Sequence, residues 1–214
     1  MLTYRLLRNR AGILLAGDYH SLDVLRSAVH QVNEKSPIVR DKEGVFLALA
    51  YDARKAIEGQ RQVLKPPAGR PEIGVRYGVE SLWPTLLLQS RMLRDSLAYL
   101  PATLELQAIT YALEAVIEYA VQADFGAEAP AILHQWERLR PGHPYAEEHF
   151  HSRGGIFCSW KKGERQKRLA GLLASLDGMY AANYPIWTAN GAPNLLVPSA
   201  YDAWADAEWP DPHW

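Results

Sequence analysis

The centre of the chain, residues 81–125, reads SLWPTLLLQSRMLRDSLAYLPATLELQAITYALEAVIEYAVQADF. This stretch has no glycine, and its apolar residues recur every three or four positions, which is typical of helices that bury one face. Pro84 suits a first helical turn, where its missing N–H would have had no partner. Pro101 disfavours helical geometry at Leu100, so we expect a break at 99–103. The stretch therefore predicts two helices that pack antiparallel as a hairpin.

The second of these helices is predicted to have two unlike sides. Apolar residues repeat from Leu106 to Val121, while Glu114, Glu118 and Gln122 are spaced four apart on the opposite side. We expect these three polar side chains to lie away from the core.

The chain before this hairpin predicts a small sheet. Alternating residues in 2–6, a polar turn at 8–11 and an apolar return at 12–17 indicate a β-hairpin. A proline-rich linker, 65–71, precedes a strand at 73–79, where apolar residues alternate with small or charged ones. We expect this strand to pair with the hairpin and to form an antiparallel sheet covered by helices.

Four further helices are predicted from apolar spacing. The first is capped by Ser21 and ends near Lys35, and the second runs from Glu43 or Gly44 to about Val63. The other two cover 127–140 and 163–180, with a short strand at 155–160 between them.

The predicted fold is α+β, mainly helical, with a small antiparallel sheet packed on the central helical hairpin. We expect one compact domain over residues 1–180, in which 1–80 hold the hairpin, two helices and a strand, and 81–180 are helical. Residues 181–214 have five prolines and no lysine or arginine, which predicts an irregular, acidic, tryptophan-rich tail packed on the domain.

Composition excludes several classes of protein. Hydrophobic residues make up 48% and charged residues 22%, which is typical of folded globular chains. A net charge of −1 gives no general attraction to nucleic acid or membrane. The single Cys158 excludes an internal disulfide, and we expect neither a signal peptide nor a membrane span. These features predict a cytoplasmic protein.

Residues 143–151, HPYAEEHFH, form the first candidate site. In an extended conformation Glu147, His149 and His151 would share one face and could bind a divalent metal, with His143 nearby. Pro144 and the glutamates equally suit the first turn of a helix, in which His149 and His151 would point in nearly opposite directions. We predict no cofactor, and a divalent metal only if the segment is extended.

The next segment, Ser152-Arg153-Gly154-Gly155, could present backbone N–H groups to a phosphate, with Lys161, Lys162 and Arg165 close behind. The alternative is a turn in which the glycines have positive φ. From Arg153 to Arg168 the local charge is +5, which would suit a nucleic-acid patch, a docking site for the acidic tail or a solvated face.

Large aromatic side chains are concentrated in the predicted tail. Trp204, Trp209 and Trp214 would be costly in water, so they either pack on the protein's own body or form a recognition surface for a partner. Cys158 lies in an apolar run, where cysteine usually behaves as a small buried hydrophobe, although a thiol paired with His149 or His151 is the alternative.

Three segments of the N-terminal half, RNRAGILLAGDYHSLDVL, FLALAYDARKAIEGQRQ and YGVESLWPTLLLQSRMLR, resemble a family of bacterial proteins known as a domain of unknown function. The resemblance covers roughly the first 125 residues. It implies a bacterial source but no activity, ligand or catalytic residue.

Three functions are compatible with these patterns. The first is a non-catalytic interaction or regulatory protein that binds a protein partner or forms a homodimer. The second is a metal-dependent or phosphate-handling enzyme centred on residues 143–165. The third is a nucleic-acid-binding protein that uses the basic stretch 153–168.

Overall fold

The computed structural model describes residues 1–66, 68–192 and 194–212. Within them the helices are α1 Tyr19–Lys35, α2 Val45–Ile57, α3 Trp83–Ser96, α4 Leu104–Phe125, α5 Ala129–Arg138, α6 Pro144–Ser159, α7 Lys162–Ala174 and α8 Tyr180–Ala189. The strands are β1 Thr3–Leu6, β2 Gly12–Gly17, β3 Gln62–Leu64 and β4 Arg76–Leu82. The fold is mainly helical α+β, as the sequence predicts.

The four strands form one antiparallel sheet in the order β1-β2-β4-β3. The register places Leu15 of β2 opposite Val79 of β4. All six residues of β2 are buried, because the strand lies inside the sheet and helices α1, α2 and α4 contact the sheet. The predicted hairpin is confirmed, and its turn contains Asn9 with a φ of 56°.

Two helix boundaries near the N-terminus differ from the prediction. Helix α1 begins three residues earlier than expected, because the Asp18 carboxylate, rather than Ser21, caps it by accepting the Ser21 N–H at 2.8 Å. Helix α2 ends at Ile57, and Gly59 then turns the chain with a φ of 76°. Residues predicted to continue this helix instead form the short edge strand β3.

The predicted strand at 73–79 is displaced along the chain. Residues Pro71–Ile73 form a short 3₁₀ turn, and the strand itself is Arg76–Leu82. The fixed φ of Pro71 suits the start of a helical turn, which delays entry into the sheet.

The central helical hairpin is confirmed. Thr103 caps α4 by accepting the Leu106 N–H, and the link after α3 spans the predicted break. Trp83 at the start of α3 donates to the Asp124 carboxylate near the end of α4 at 2.9 Å, as antiparallel packing requires. Glu114 does not lie away from the core, because its carboxylate accepts from Arg94 of α3 at 2.5 Å.

The C-terminal third is more helical than predicted. The expected strand at 155–160 is wrong, because residues 155–159 are the last turns of α6. The helix expected at 163–180 ends at Ala174. The chain after residue 180 is not wholly irregular, since it forms α8 and a 3₁₀ helix, Pro198–Trp204. None of the described helices combines the length and apolar character needed to cross a bilayer.

Candidate functional site

Helix α6 determines where the candidate metal ligands lie. Pro144 occupies the first turn, so the segment is helical and the extended conformation is wrong. Glu147 and His151, four residues apart, share one face, whereas His149 points elsewhere and its ring lies 5.2 Å from that of Tyr145. His143 stacks on Tyr145 at 5.0 Å. Among the described residues, no three His, Cys, Asp or Glu side chains could hold a metal together.

Glu147 connects α6 to the loop before α2. One carboxylate oxygen, Oε2, accepts the Asp41 backbone N–H at 3.2 Å. The other oxygen, Oε1, is buried and has no hydrogen-bond partner among the residues that the structure describes. Burial raises the pKa of the Glu147 carboxyl, although the N–H groups of Asp41 and Arg40 oppose the shift. Within the ranges that the structure describes, Glu147 Oε1 therefore lacks a hydrogen bond of normal geometry, although the backbone N–H of Arg40 lies close to the carboxylate.

A groove of about 430 Å³ lies beside this carboxylate, and we call it the α6 groove. The carboxylates of Asp41 and Glu147 and the rings of Phe150, His151 and Trp209 line it. Its other lining residues are smaller and come from α2 and α3: Val45, Ala48 and Thr85. The groove thus combines two acidic groups with an aromatic and aliphatic surface.

The tail reaches this groove because α6 has a notch formed by Gly154 and Gly155. A Cβ on Gly154 would come within 1.9 Å of Trp209 Cζ2, and one on Gly155 within 2.7 Å of Trp204 Cε3. The indole N–H of Trp209 donates to the His151 carbonyl at 2.9 Å. His151 Nε2–H in turn donates to the Ala207 carbonyl at 2.9 Å. Trp209 and Trp204 thus lie against their own chain, while the third candidate, Trp214, is outside the described residues.

The glycines of this notch serve neither of the two predicted purposes. They lie inside a helix, so they form no phosphate-binding loop and no turn with positive φ. Glycine destabilises a helix interior by about 1 kcal/mol relative to alanine. The close approach of the two indole rings is the physical reason for glycine here, because any larger residue would collide with them.

Two of the four candidate phosphate-binding cations are buried. The Arg153 guanidinium lies 3.9 Å from the centre of the Tyr201 ring and donates to Ser175 Oγ and O, each at 3.1 Å. Arg165, 1% exposed, donates to four backbone carbonyls, those of Asn9, Phe157, Cys158 and Pro212. Burial lowers the pKa of both guanidinium groups. Of the candidates, Lys161 and Lys162 remain exposed.

Cys158 is a buried free thiol on α6. Burial raises its pKa to about 11, and the nearby Arg165 cation only partly offsets the shift. At neutral pH the side chain is therefore a thiol, which is a poor nucleophile, and it packs as a small apolar group.

The sequence analysis missed an apolar strip on the outer face of α4, which we call the α4 strip. It consists of Leu104, Ala108, Tyr111, Ala115 and Tyr119, all exposed. Leu104 is 83% exposed, Tyr119 64% and Tyr111 48%. These residues are spaced three and four apart in the sequence, but the longer apolar stripe of the buried face accounts for the helix by itself, so the second pattern was not recognised.

A larger cleft, about 710 Å³, was also missed because distant segments form it. Arg138 and Arg140 at the end of α5, Asp177 after α7 and Trp187 of α8 line it. It contains none of the candidate residues from the sequence. Because the cleft is lined by both basic and acidic side chains, its charge does not favour a ligand of one sign.

The family model described as Domain of unknown function (DUF6904) matches residues 2–183 of the chain. The match covers the region in which the resemblance was predicted, from residue 2 to about 125, and extends to α8. No curated protein and no solved structure matches the chain.

Proposed function

The chain belongs to the family DUF6904, and we propose that it is a non-catalytic interaction protein that acts as a homodimer through the α4 strip. The observation that carries this proposal is that α4, a described helix of 22 residues, has an exposed apolar strip in addition to its buried face. Its inner side is buried in the core, while its outer side exposes Leu104, Tyr111 and Tyr119 beside the polar Glu105, Glu118 and Gln122. Contiguous apolar surface that is rimmed by polar residues is typical of a protein contact.

The pattern of the α4 strip is suited to pairing with itself. Its midpoint falls between Tyr111 and Ala112; Leu104 and Tyr119 are equally far from this point, and so are Ala108 and Ala115. In an antiparallel pair with a two-fold axis at the midpoint, each Leu104 would meet the partner copy's Tyr119 and the alanines would meet each other. The two Tyr111 rings would lie side by side next to the axis, and the small Ala108 and Ala115 on either side of them would leave room for these rings. A two-fold interface requires such self-complementarity.

Neighbouring contacts hold the strip in place before any partner binds. The Arg94 guanidinium lies 4.5 Å from the centre of the Tyr111 ring and restricts that side chain, and the Tyr4 hydroxyl donates to the Tyr119 backbone carbonyl at 3.3 Å, which joins β1 to the backbone of α4. Less side-chain entropy of Tyr111 is then lost on association. A specific dimer buries roughly 800 Å² per partner.

The side chains that could take part in a reaction have structural roles, which supports a non-catalytic function. Arg153 and Arg165 donate their hydrogen bonds to backbone and hydroxyl oxygens of the protein itself, and Cys158 is buried as a thiol. Such a reduced thiol also suits the bacterial cytoplasm, which we propose as the location.

The test is the mass of the protein in solution, measured by light scattering after size exclusion. We expect twice the chain mass of 24.0 kDa for the wild type. Ala115→Arg places a long charged side chain inside the strip, one helical turn from its midpoint, and should give the single-chain mass. The matched control is Ala131→Arg, at an exposed alanine of α5, which should remain dimeric.

Circular dichroism of both variants shows whether either substitution unfolds the chain. A wild type of single-chain mass at every concentration, or a folded Ala115→Arg variant that stays dimeric, would overturn the proposal.

A further inference from the structure

We propose that the α6 groove binds a small organic cation, in which a protonated amine is attached to an apolar body. This binding site is separate from the α4 strip, and nothing in the proposal requires the dimer. Three properties of the groove point to this ligand class: its charge, its unused hydrogen-bond acceptors and its aromatic lining.

The lining of the groove is acidic. Asp41 and Glu147 both line it, none of its described lining residues is a lysine or an arginine, and the cation that acts on Glu147, Arg40, lies outside the lining. Burial and, to a smaller extent, repulsion from Asp41 raise the pKa of Glu147, while the N–H groups of Asp41 and Arg40 and the Arg40 cation oppose the shift without reversing it. A cation bound between them would remove the repulsion, whereas an anion would increase it.

Glu147 supplies a hydrogen-bond acceptor that lacks a donor. Its Oε1 is buried without a partner among the described residues, while Oε2 is held by the Asp41 N–H. Leaving a buried acceptor unsatisfied is costly, so such atoms in a native structure call for an explanation. An ammonium group has three donors and would satisfy Oε1 with a charge-assisted bond.

A second unused acceptor lies next to the groove. Gln89 of α3 is 2% exposed, and its Nε2 donates at 2.7 Å to the carbonyl of Val45, a residue that lines the groove. The other end of its amide, Oε1, is buried and has no partner in the described part of the chain. Gln89 follows Thr85, another lining residue, by one helical turn. Gln89 does not itself line the groove, so its free acceptor contributes negative potential beside the groove and no direct contact with the ligand.

The aromatic lining favours a ligand with an apolar body. The rings of Phe150 and Trp209 meet edge to face with their centres 5.8 Å apart. The Trp209 ring is fixed by its N–H bond to His151, so it is already in position as a wall. Indole faces attract cations as well as apolar groups. A volume of about 430 Å³ lies within the range of small-molecule sites and exceeds the needs of a bare inorganic ion.

Phenethylamine is the probe that tests this inference, because at neutral pH it carries an ammonium on an apolar body. Its controls keep the phenyl ring and two-carbon chain but change the end group: 2-phenylethanol is neutral and 3-phenylpropionate is anionic. Binding is measured by titration of the full chain, followed by the NMR shift of the Trp209 indole N–H. The Trp209→Phe spectrum assigns that signal.

We expect a saturable shift with phenethylamine that is at least about tenfold stronger than with either control, as a charge-assisted bond implies. Glu147→Gln keeps the shape but removes the charge, and should weaken binding about tenfold or more. Glu148→Gln is the matched control, because Glu148 is exposed on the same helix and does not line the groove; its affinity should equal that of the wild type.

Three results would overturn the proposal. The first is equal binding, or none, for all three compounds, and the second is unchanged affinity in a folded Glu147→Gln variant. The third uses a short peptide containing one lysine and blocked at both ends: a shift with this peptide but not with phenethylamine would assign the groove to a protein lysine instead of a small amine.

Discussion

The indole ring of Trp209 lies so close to the backbone of Gly154 that a Cβ on the glycine would come within 1.9 Å of Trp209 Cζ2. This contact joins α6, at the start of the C-terminal third, to a residue 55 positions later in the chain. It places an aromatic wall on the α6 groove and makes the tail part of the folded body.

Gly154→Ala should destabilise the protein despite the better helix propensity of alanine. The added methyl has to displace Trp209, and overpacking of this kind costs about 1–3 kcal/mol. The measurement is the free energy of unfolding from urea titration. Gly163→Ala is the matched control, since a Cβ there meets nothing within 4 Å, and it should stabilise α7 by up to about 1 kcal/mol. A Gly154→Ala variant as stable as Gly163→Ala would contradict the packing described.

Arg165→Met should lower the free energy of unfolding by about 3 kcal/mol. The substitution removes one donor from each of four carbonyls; that of Phe157 keeps the Trp160 N–H, and each buried carbonyl that is left unsatisfied costs about 1–3 kcal/mol where water cannot replace the donor. Lys167→Met, on an exposed position of the same helix, should change stability by less than about 0.5 kcal/mol. Equal urea midpoints for the two variants would show that the hydrogen bonds of Arg165 contribute little to the stability of the fold.

Cys158 should react slowly with thiol reagents in the native protein. Burial blocks access, and a pKa of about 11 leaves only about one thiol in a thousand ionised at pH 8. The rate of reaction with a chromogenic disulfide should rise steeply in denaturant, where the pKa returns toward 9.0. Rapid reaction of the native protein would mean that α6 opens readily or that the thiol is accessible.

Glu147→Gln should stabilise the protein at neutral pH. The pKa of Glu147 is higher in the folded state than its ordinary value of 4.5, so folding favours the protonated form. The ionised Glu147 carboxylate therefore lowers the free energy of unfolding at pH values above its pKa in the folded state. This loss of stability disappears as the pH falls below 4.5, where the carboxyl is protonated in both the folded and the unfolded state. The measurement is the difference in urea midpoint between variant and wild type at neutral and acidic pH; a difference that does not shrink on acidification would contradict the burial of this charge.

The fold was largely predictable because its strongest signals are local. The two central helices are marked by apolar repeats and by Pro84 and Pro101, and the N-terminal hairpin by alternation around a polar turn. The strand β3 was not predictable, because three residues show no periodicity and its pairing depends on β4.

The main error concerned α6, and its cause is tertiary. Two glycines followed by Ile156 and Phe157 have poor helix propensity, so the local pattern favoured a strand. The helix persists because Trp204 and Trp209 fill the space that the glycines leave, a contact that no local pattern contains. With the helical assignment, spacing alone would have grouped Glu147, His151 and Gly154 on one face.

The candidate site was predictable only in part for the same reason. Glu147, His151 and Trp209 were singled out by residue type, and the structure brings them to one groove. Asp41 and Val45 come from a segment about one hundred residues earlier, and they reach the groove only through tertiary contacts such as the bond from the Asp41 N–H to Glu147. Arg153 and Arg165 resembled ligand-binding cations because sequence does not reveal burial.

The glycine notch also has a consequence for synthesis. Ribosomes elongate chains at about 5–20 residues per second, so Gly154 is made roughly 3 to 11 s before Trp209. During that interval a nascent α6 has two helix-weakening glycines and no indole rings to cover them. We therefore expect this helix to become stable only after the tail has been translated, so that docking of the tail on α6 is a late step in the folding of the newly made chain.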